Sequence, residues 1–290
     1  MIPKRFTPRL PLKTKTLSAA DIRSYREDGF LVVRQLLDQK QLEKLWQATD
    51  EITRLAQKFR EDTFSGATYY ALIRDCNPFA KDLQKFAQIP GQLRRVTYPY
   101  AKHPSINQLR LTPKLLAVMT DLLGPDVVQI VNQINFSPPD VGGGWGWHQD
   151  YRFRKPGINN MEQNFVQCAI AMDPCHQQSG GLRIVPKSHK LGGLALDQNN
   201  EQAEEFFDAS TAVTPELEPG DGLLFNPYVI HGSGPNKSSF IRRLFINGFA
   251  NGKESRVGQP VVKGGKVIPH PTGNMEYEGD RELLPKASKY

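Results

Sequence analysis

Apolar and polar positions follow two periods along this chain, and the change falls near residue 126. Upstream, the clearest run is Leu42, Leu45, Trp46, Thr49, Ile52, Leu55, Ala56 and Phe59. Steps of three and four residues place these on one helix face, read here as core, with Asp38 as the cap. An earlier helix is predicted from Ser18, with Asp21 in the capping-box position and Gly29 as its stop. FLVVRQLL follows as a short strand and turn. Thr112-Pro113 opens a third helix, KLLAVMTDLLG, which Gly124 ends. Residues 61–111 carry a weaker pattern. YYALIRD reads as a strand, Asn77-Pro78 opens a short helix, and RRVTYPY is a strand or an extended loop.

Downstream, VVQIVNQINFS, NFVQCAIAM, GLRIVP, GLLFNPYVI and RRLFINGFA are short, β-rich and separated by Gly, Pro and Asn. At least five such segments predict an antiparallel jelly roll. Helices come first and strands later, so the expected class is α+β, mainly β, with amino-terminal helices flanking one sheet. The expected organisation is a flexible basic arm at 1–17, one domain at 18–250, and an extension at 251–290. The extension is rich in Gly, Pro and charge, and is read as a loop-like tail able to serve as a lid. No internal repeat is visible.

The hydrophobic share of 39% supports a substantial core. No apolar run approaches the ~18 residues of a membrane span. The first eighteen residues are basic, lack an apolar middle and hold three prolines, so they read as neither a signal nor a transit peptide. Cys76, Cys168 and Cys175 are few, odd in number and not in metal-knuckle spacing. A soluble cytoplasmic protein, monomer or homodimer, is expected. The net charge of +7 includes Lys4, Arg5, Arg9, Lys13 and Lys15. That basic arm is read as solvated, with no nucleic-acid or membrane partner. The overall balance is compatible with an anionic small-molecule substrate.

Candidate chemistry centres on WGWHQDYRF. On an extended segment, His148 and Asp150 project to the same side, so an imidazole nitrogen and a carboxylate oxygen converge. His231, in FNPYVIHGSGPNKSSFIRR, offers a third ligand. Two histidines and one carboxylate form the facial triad that suits non-haem Fe(II). Ser233 lies two residues past His231 and Arg242 eleven past it. A guanidinium and a hydroxyl beside the metal fit a small dicarboxylic keto acid that chelates iron at one end and is anchored at the other. Arg243 should face the opposite way.

WHQD, GGLRIVPKSH, LEPGDGLLFNPYVIHGSGPNKSSFIRR and the earlier IRSYREDGFLVVRQLL resemble the phytanoyl-CoA dioxygenase family, which includes ectoine hydroxylase. The resemblance runs from about residue 20 to 250. It implies a double-stranded β-helix in which His148, Asp150 and His231 bind Fe(II). It further implies that Arg242 and Ser233 hold 2-oxoglutarate and that Asn135 also touches this cosubstrate. The implied reaction consumes O2 and releases succinate and CO2. An aspartate at 150 implies hydroxylation, or desaturation or ring chemistry by the same oxidant, over chlorination. Tyr98, Tyr100, Lys102, Gln133, Arg152 and Phe153 are candidates for the substrate pocket. His103, His176, His189 and His270 have no carboxylate at ligand spacing and are read as structural. Gly220-Asp221 is read as turn chemistry. Two other readings compete: a binding protein with a vestigial metal site, and a zinc hydrolase. The second leaves Ser233 and Arg242 without a role and lacks an HExxH base.

Overall fold

The computed structural model describes residues 12, 16–74, 87–141, 144–153, 157–194, 205–270 and 288–289. Helix α1 (Ala19–Asp28) opens on the Ser18–Asp21 capping box and ends on Gly29, at φ 82°. Glycine takes this left-handed conformation without strain, and a Cβ here would strike the His189 ring. Strand β1 (Phe30–Val33) leads to α2 (Gln39–Ala56), which opens on a second capping box, Asp38 with Gln41. Strands β2 (Thr63–Ser65), β3 (Thr68–Arg74) and β4 (Gln88–Thr97) form an antiparallel meander. Helices α3 (Pro104–Leu109) and α4 (Pro113–Leu123) follow. The remaining strands are β5 (Val127–Ser137), β6 (Trp145–His148), β7 (Phe165–Ala171), β8 (Leu182–Ile184), β9 (Gly222–Phe225), β10 (His231–Ser233), β11 (Arg242–Asn251), β12 (Gln259–Lys263), β13 (Lys266–Val267) and β14 (Ser288–Lys289).

The strands form a larger sheet, ordered β1-β9-β7-β11-β5-β4-β3-β2-β14 with β12 and β13 branching from β5, and a smaller sheet ordered β6-β10-β8. This is the predicted jelly roll. The register fixes what each face of the larger sheet carries, because directly paired residues share a face. Val96, Ile134, Phe245 and Ile170 form one row across four strands. All four belong to the core shared with Leu45, Ile52 and Leu116 of α2 and α4. The rows on either side, Arg95–Asn135–Leu244–Ala171 and Thr97–Gln133–Ile246–Ala169, face the other way. Their apolar members pack with Phe225 and Ile184 in a second core, between the two sheets.

Several expectations need revision. Thr112 stands at the start of α4, but its side chain makes no capping bond. RRVTYPY is strand only to Thr97; Tyr98, at φ 54°, turns the chain into a 3-10 helix at Pro99–Ala101. The tail is less loop-like than predicted. β12 pairs with both β5 and β13, and Gly264 and Gly265, at φ 55° and 74°, make the two-residue turn between β12 and β13. The helix expected at Asn77-Pro78 lies outside the described residues, as do Cys76 and most of the arm. Within the arm, Leu17 is buried and its N–H donates to Asp121. Cys168 and Cys175 are buried free thiols. Among the described residues no helix is long and apolar enough to cross a membrane.

Candidate metal centre and its pocket

Strands β6 and β10 pair antiparallel, which sets His148 directly opposite His231. Their ring centroids are 4.1 Å apart. Each Nδ1 lies against a carbonyl two residues earlier: Gly146 O at 2.7 Å for His148 and Val229 O at 3.0 Å for His231. A carbonyl only accepts, so each Nδ1 carries its proton and each Nε2 presents a lone pair. Asp150 Oδ1 lies 3.6 Å from His148 Nε2 and 3.8 Å from His231 Nε2. All three residues are buried, and their ligand atoms lie within 4.8 Å of one another. Three converging lone-pair donors, two nitrogen and one oxygen, fit a divalent transition metal.

Asp150 reaches this point by an unexpected route. It does not continue the extended segment but opens a 3-10 turn, Asp150–Phe153. The turn is pinned by Gln149, whose amide donates to the carbonyls of Gly192 and Tyr228 and accepts from the Leu194 N–H. The Tyr151 N–H donates to Pro227 O. Strand alternation therefore pointed to a residue that does converge with His148, but by a different backbone route. At Gly144 a Cβ would collide with the Ser233 carbonyl oxygen, so its role is close approach of β6 to β10.

Arg242 is 1% exposed. Its Nη2 donates to Gly180 O at 2.6 Å and to Ser137 Oγ at 3.0 Å. Burial pushes its pKa down. Among the described residues no carboxylate lies within 4.0 Å of it; Asp173 is taken by Arg243 at 2.7 Å, on the opposite face. A buried cation without an acid partner is costly, and an anion would offset that cost. Gly180, whose carbonyl accepts from this guanidinium, packs against Gly234 O, the residue after Ser233. Ser233 Oγ accepts from the Trp145 N–H at 3.1 Å, leaving the hydroxyl proton to donate. Asn135 Oδ1 is buried without a hydrogen-bond partner. Arg242, Ser233 and Asn135 thus fit a dicarboxylate on the metal's side of the larger sheet.

The pocket candidates divide. Gln133 faces the space between the sheets, in the row with Thr97 and Ile246. Phe153 packs edge-on to His148 at 5.8 Å, and Arg152 is exposed on the same turn. Tyr98 and Tyr100 point away: Tyr98 donates to Ile130 O, and Tyr100 is buried in the helix-side core beneath Arg110. Their rings meet edge-to-face at 5.8 Å, so the two share one side of the sheet, the side of the helices. Lys102 is exposed and lies over Gly66 of the β2–β3 turn. His189 donates to Arg26 O at the end of α1, so it is structural. His103 pairs with Glu51, and His176 and His270 bond locally.

Sequence reading did not foresee that Arg94, Arg95 and Thr97 face the space between the sheets. On β3, Ala71 faces Arg95 and Leu72 faces Leu93, so Arg94 is an extra residue, a β-bulge. Leu93 and Val96 both enter the helix-side core. The two arginines between them turn toward the triad's side, where Arg94 stacks 4.1 Å from the Trp145 ring centre. The adjacent arginines in the sequence carried that signal only if a bulge were suspected.

Fold and side chains together define a double-stranded β-helix protein with a candidate facial-triad metal site between its sheets. A family model described as Phytanoyl-CoA dioxygenase (PhyH) matches residues 25–244, and the chain belongs to that family. It is 32% identical over 180 residues to a methylphosphonate hydroxylase of Gimesia maris, covering 59% of this chain and 66% of that protein. It is also 32% identical over 170 residues to a probable alpha-ketoglutarate-dependent hypophosphite dioxygenase of Stutzerimonas stutzeri, covering 54% of this chain and 57% of the relative. The chain therefore matches somewhat under two thirds of each relative's length. The solved structure of EctD from S. alaskensis with 2-oxoglutarate and 5-hydroxyectoine superposes with a TM-score of 0.65 at 19% identity, covering 92% of this chain and 95% of that one.

Proposed function

We propose that this chain is an Fe(II)- and 2-oxoglutarate-dependent dioxygenase that hydroxylates an unactivated C–H bond of a small molecule, with release of succinate and CO2. The observation that carries this reading is the buried convergence of His148 Nε2, His231 Nε2 and Asp150 Oδ1. The family and the names of its relatives support it. In this reading His148, Asp150 and His231 hold Fe(II) on one face and leave the other for exchangeable ligands. Bound together, iron and 2-oxoglutarate supply the oxidising power that dioxygen alone does not bring to a C–H bond.

The chain's own contribution is positional. The Gly146 and Val229 carbonyls keep both imidazoles in the ligating tautomer. Arg242 and Ser233 anchor the distal carboxylate of 2-oxoglutarate, with Asn135 beside them. Leu244, Ile246, Ala169 and Phe225 line the pocket with apolar surface and exclude water. The test is succinate release from 2-oxoglutarate by the purified protein supplied with Fe(II), ascorbate and O2. Slow release without a second substrate is expected, and its absence in His231→Ala. Equal release by that variant would sink the reading.

A further inference from the structure

The residue between His148 and Asp150 is no metal ligand, yet it is fully buried. All three hydrogen bonds of the Gln149 amide run to main chain. Nε2 donates to Tyr228 O at 2.6 Å and to Gly192 O at 2.9 Å, and Oε1 accepts from the Leu194 N–H at 2.7 Å. Tyr228 precedes Val229, whose carbonyl holds the His231 Nδ1 proton. One side chain beside Asp150 therefore also holds the loop that delivers His231.

The third party is the segment Ser188–Leu194, which opens as a 3-10 helix at Ser188–Leu191. It meets both ligand stretches through bonds of its own. Ser188 Oγ accepts from the Ile230 N–H at 2.8 Å, one residue before His231. Leu194 O accepts from the Tyr151 hydroxyl at 3.0 Å, one residue after Asp150. The Tyr151 ring stacks on Tyr228 at 4.5 Å, and a Cβ at Gly193 would strike that ring. A surface segment can give its backbone groups to water. Here both backbone groups of Leu194 go instead to the side chains flanking Asp150.

We infer that Gln149 is a positioning residue that clasps the two ligand stretches to the Ser188–Leu194 segment, so that metal binding and the seating of that segment are coupled. The inference rests on the metal-site reading given above. Partners behind the ligands orient them, and losing one weakens metal binding by roughly 10–100-fold. The coupling is reciprocal: a metal that prefers the seated arrangement tightens the segment, and unseating the segment loosens the metal by the same factor.

The test uses the full chain, stripped with chelator and titrated with Mn(II) by calorimetry, alongside amide hydrogen exchange at Leu194. Wild type should bind Mn(II) and His231→Ala should not, and Mn(II) should slow exchange at Leu194. Gln149→Leu should weaken Mn(II) binding roughly 10–100-fold and abolish that slowing. Gly193→Ala pushes on the clasp from its exposed side and should weaken Mn(II) binding severalfold. Combined, the two losses should be less than additive, because both open the same clasp. A merely structural Gln149 would lower Tm while Mn(II) affinity and the slowing at Leu194 persist, and that result overturns the inference. Should Gln149→Leu fail to fold, Gly193→Ala and Tyr151→Phe decide: wild-type Mn(II) affinity in both overturns it. Mn(II) binding that is lost in His231→Ala but indifferent to Gln149 and Gly193 removes only the coupling. No Mn(II) binding by the wild type removes the metal site and the coupling together.

Discussion

His148 and His231 present their Nε2 atoms to the same point because two backbone carbonyls hold their Nδ1 protons. Alanine at His148, Asp150 or His231 is therefore expected to abolish iron-dependent succinate release while far-UV circular dichroism stays unchanged. Full turnover in any one variant would remove that residue from the ligand set. Arg242 carries a different burden, since it also serves Gly180 O and Ser137 Oγ. Arg242→Lys keeps a charge but loses the planar fork. It should raise the KM for 2-oxoglutarate by roughly 10–100-fold, or about 1.4–3 kcal/mol. An unchanged KM would mean that the anchor lies elsewhere. At this scale the sequence was informative about identity and poor about direction. His148, Asp150, His231 and Arg242 could be named from residue type and spacing. Tyr98 and Tyr100 could not be oriented, because residue type does not say which side of the sheet they take, and both pack on the helix side.

Elements explain how these side chains are delivered. The approach of β6 to β10 depends on Gly144, where any Cβ meets the Ser233 carbonyl. Gly144→Ala should push the strands apart and weaken ferrous-ion binding at least tenfold, measured by anaerobic calorimetry; wild-type affinity would show that the strands can yield. The turn into β9 depends on Asp221. Burial alone would push its carboxyl up, but the Gln35 N–H, Arg34 and the Glu218 N–H together hold it below the ordinary carboxylate value. A depressed folded-state pKa stabilises above the unfolded pKa, and that contribution is lost as pH falls through the folded value. Asp221→Asn should thus lose on the order of 1–3 kcal/mol at neutral pH. The deficit in urea unfolding should shrink below the usual carboxylate range; a deficit independent of pH would contradict this assignment. Helix boundaries were legible because Ser18, Asp38 and Gly29 act locally. The β12–β13 hairpin was also legible in VVKGGKV, where two glycines separate alternating residues, but overall composition obscured it. The bulge at Arg94 was not legible, since it exists only in the pairing of β4 with β3.

For the whole molecule, two cores divide the labour. The helix-side core stiffens the larger sheet, and the core between the sheets shapes the pocket. Ligands that bind only the folded site stabilise the chain by mass action, by about 2.7 kcal/mol at a hundred times Kd. Chelator-treated protein should therefore gain several degrees in Tm with Mn(II) and 2-oxoglutarate together, and His231→Ala should gain none from the metal. The run of short β-rich segments after residue 126 made the jelly roll predictable, although β1 to β4 lie among the helices that precede it. What joins the sheets around the pocket was not predictable, because it depends on register across four strands. The central claim is that three side chains, separated by up to eighty-three positions in sequence, gather one ferrous ion. Anomalous diffraction at the iron edge, from crystals soaked with Fe(II) under anaerobic conditions, tests it directly. A single peak within about 2.0–2.2 Å of His148 Nε2, His231 Nε2 and an Asp150 carboxylate oxygen is expected. Iron bound elsewhere, or these three side chains turned apart around an empty centre, would contradict the account.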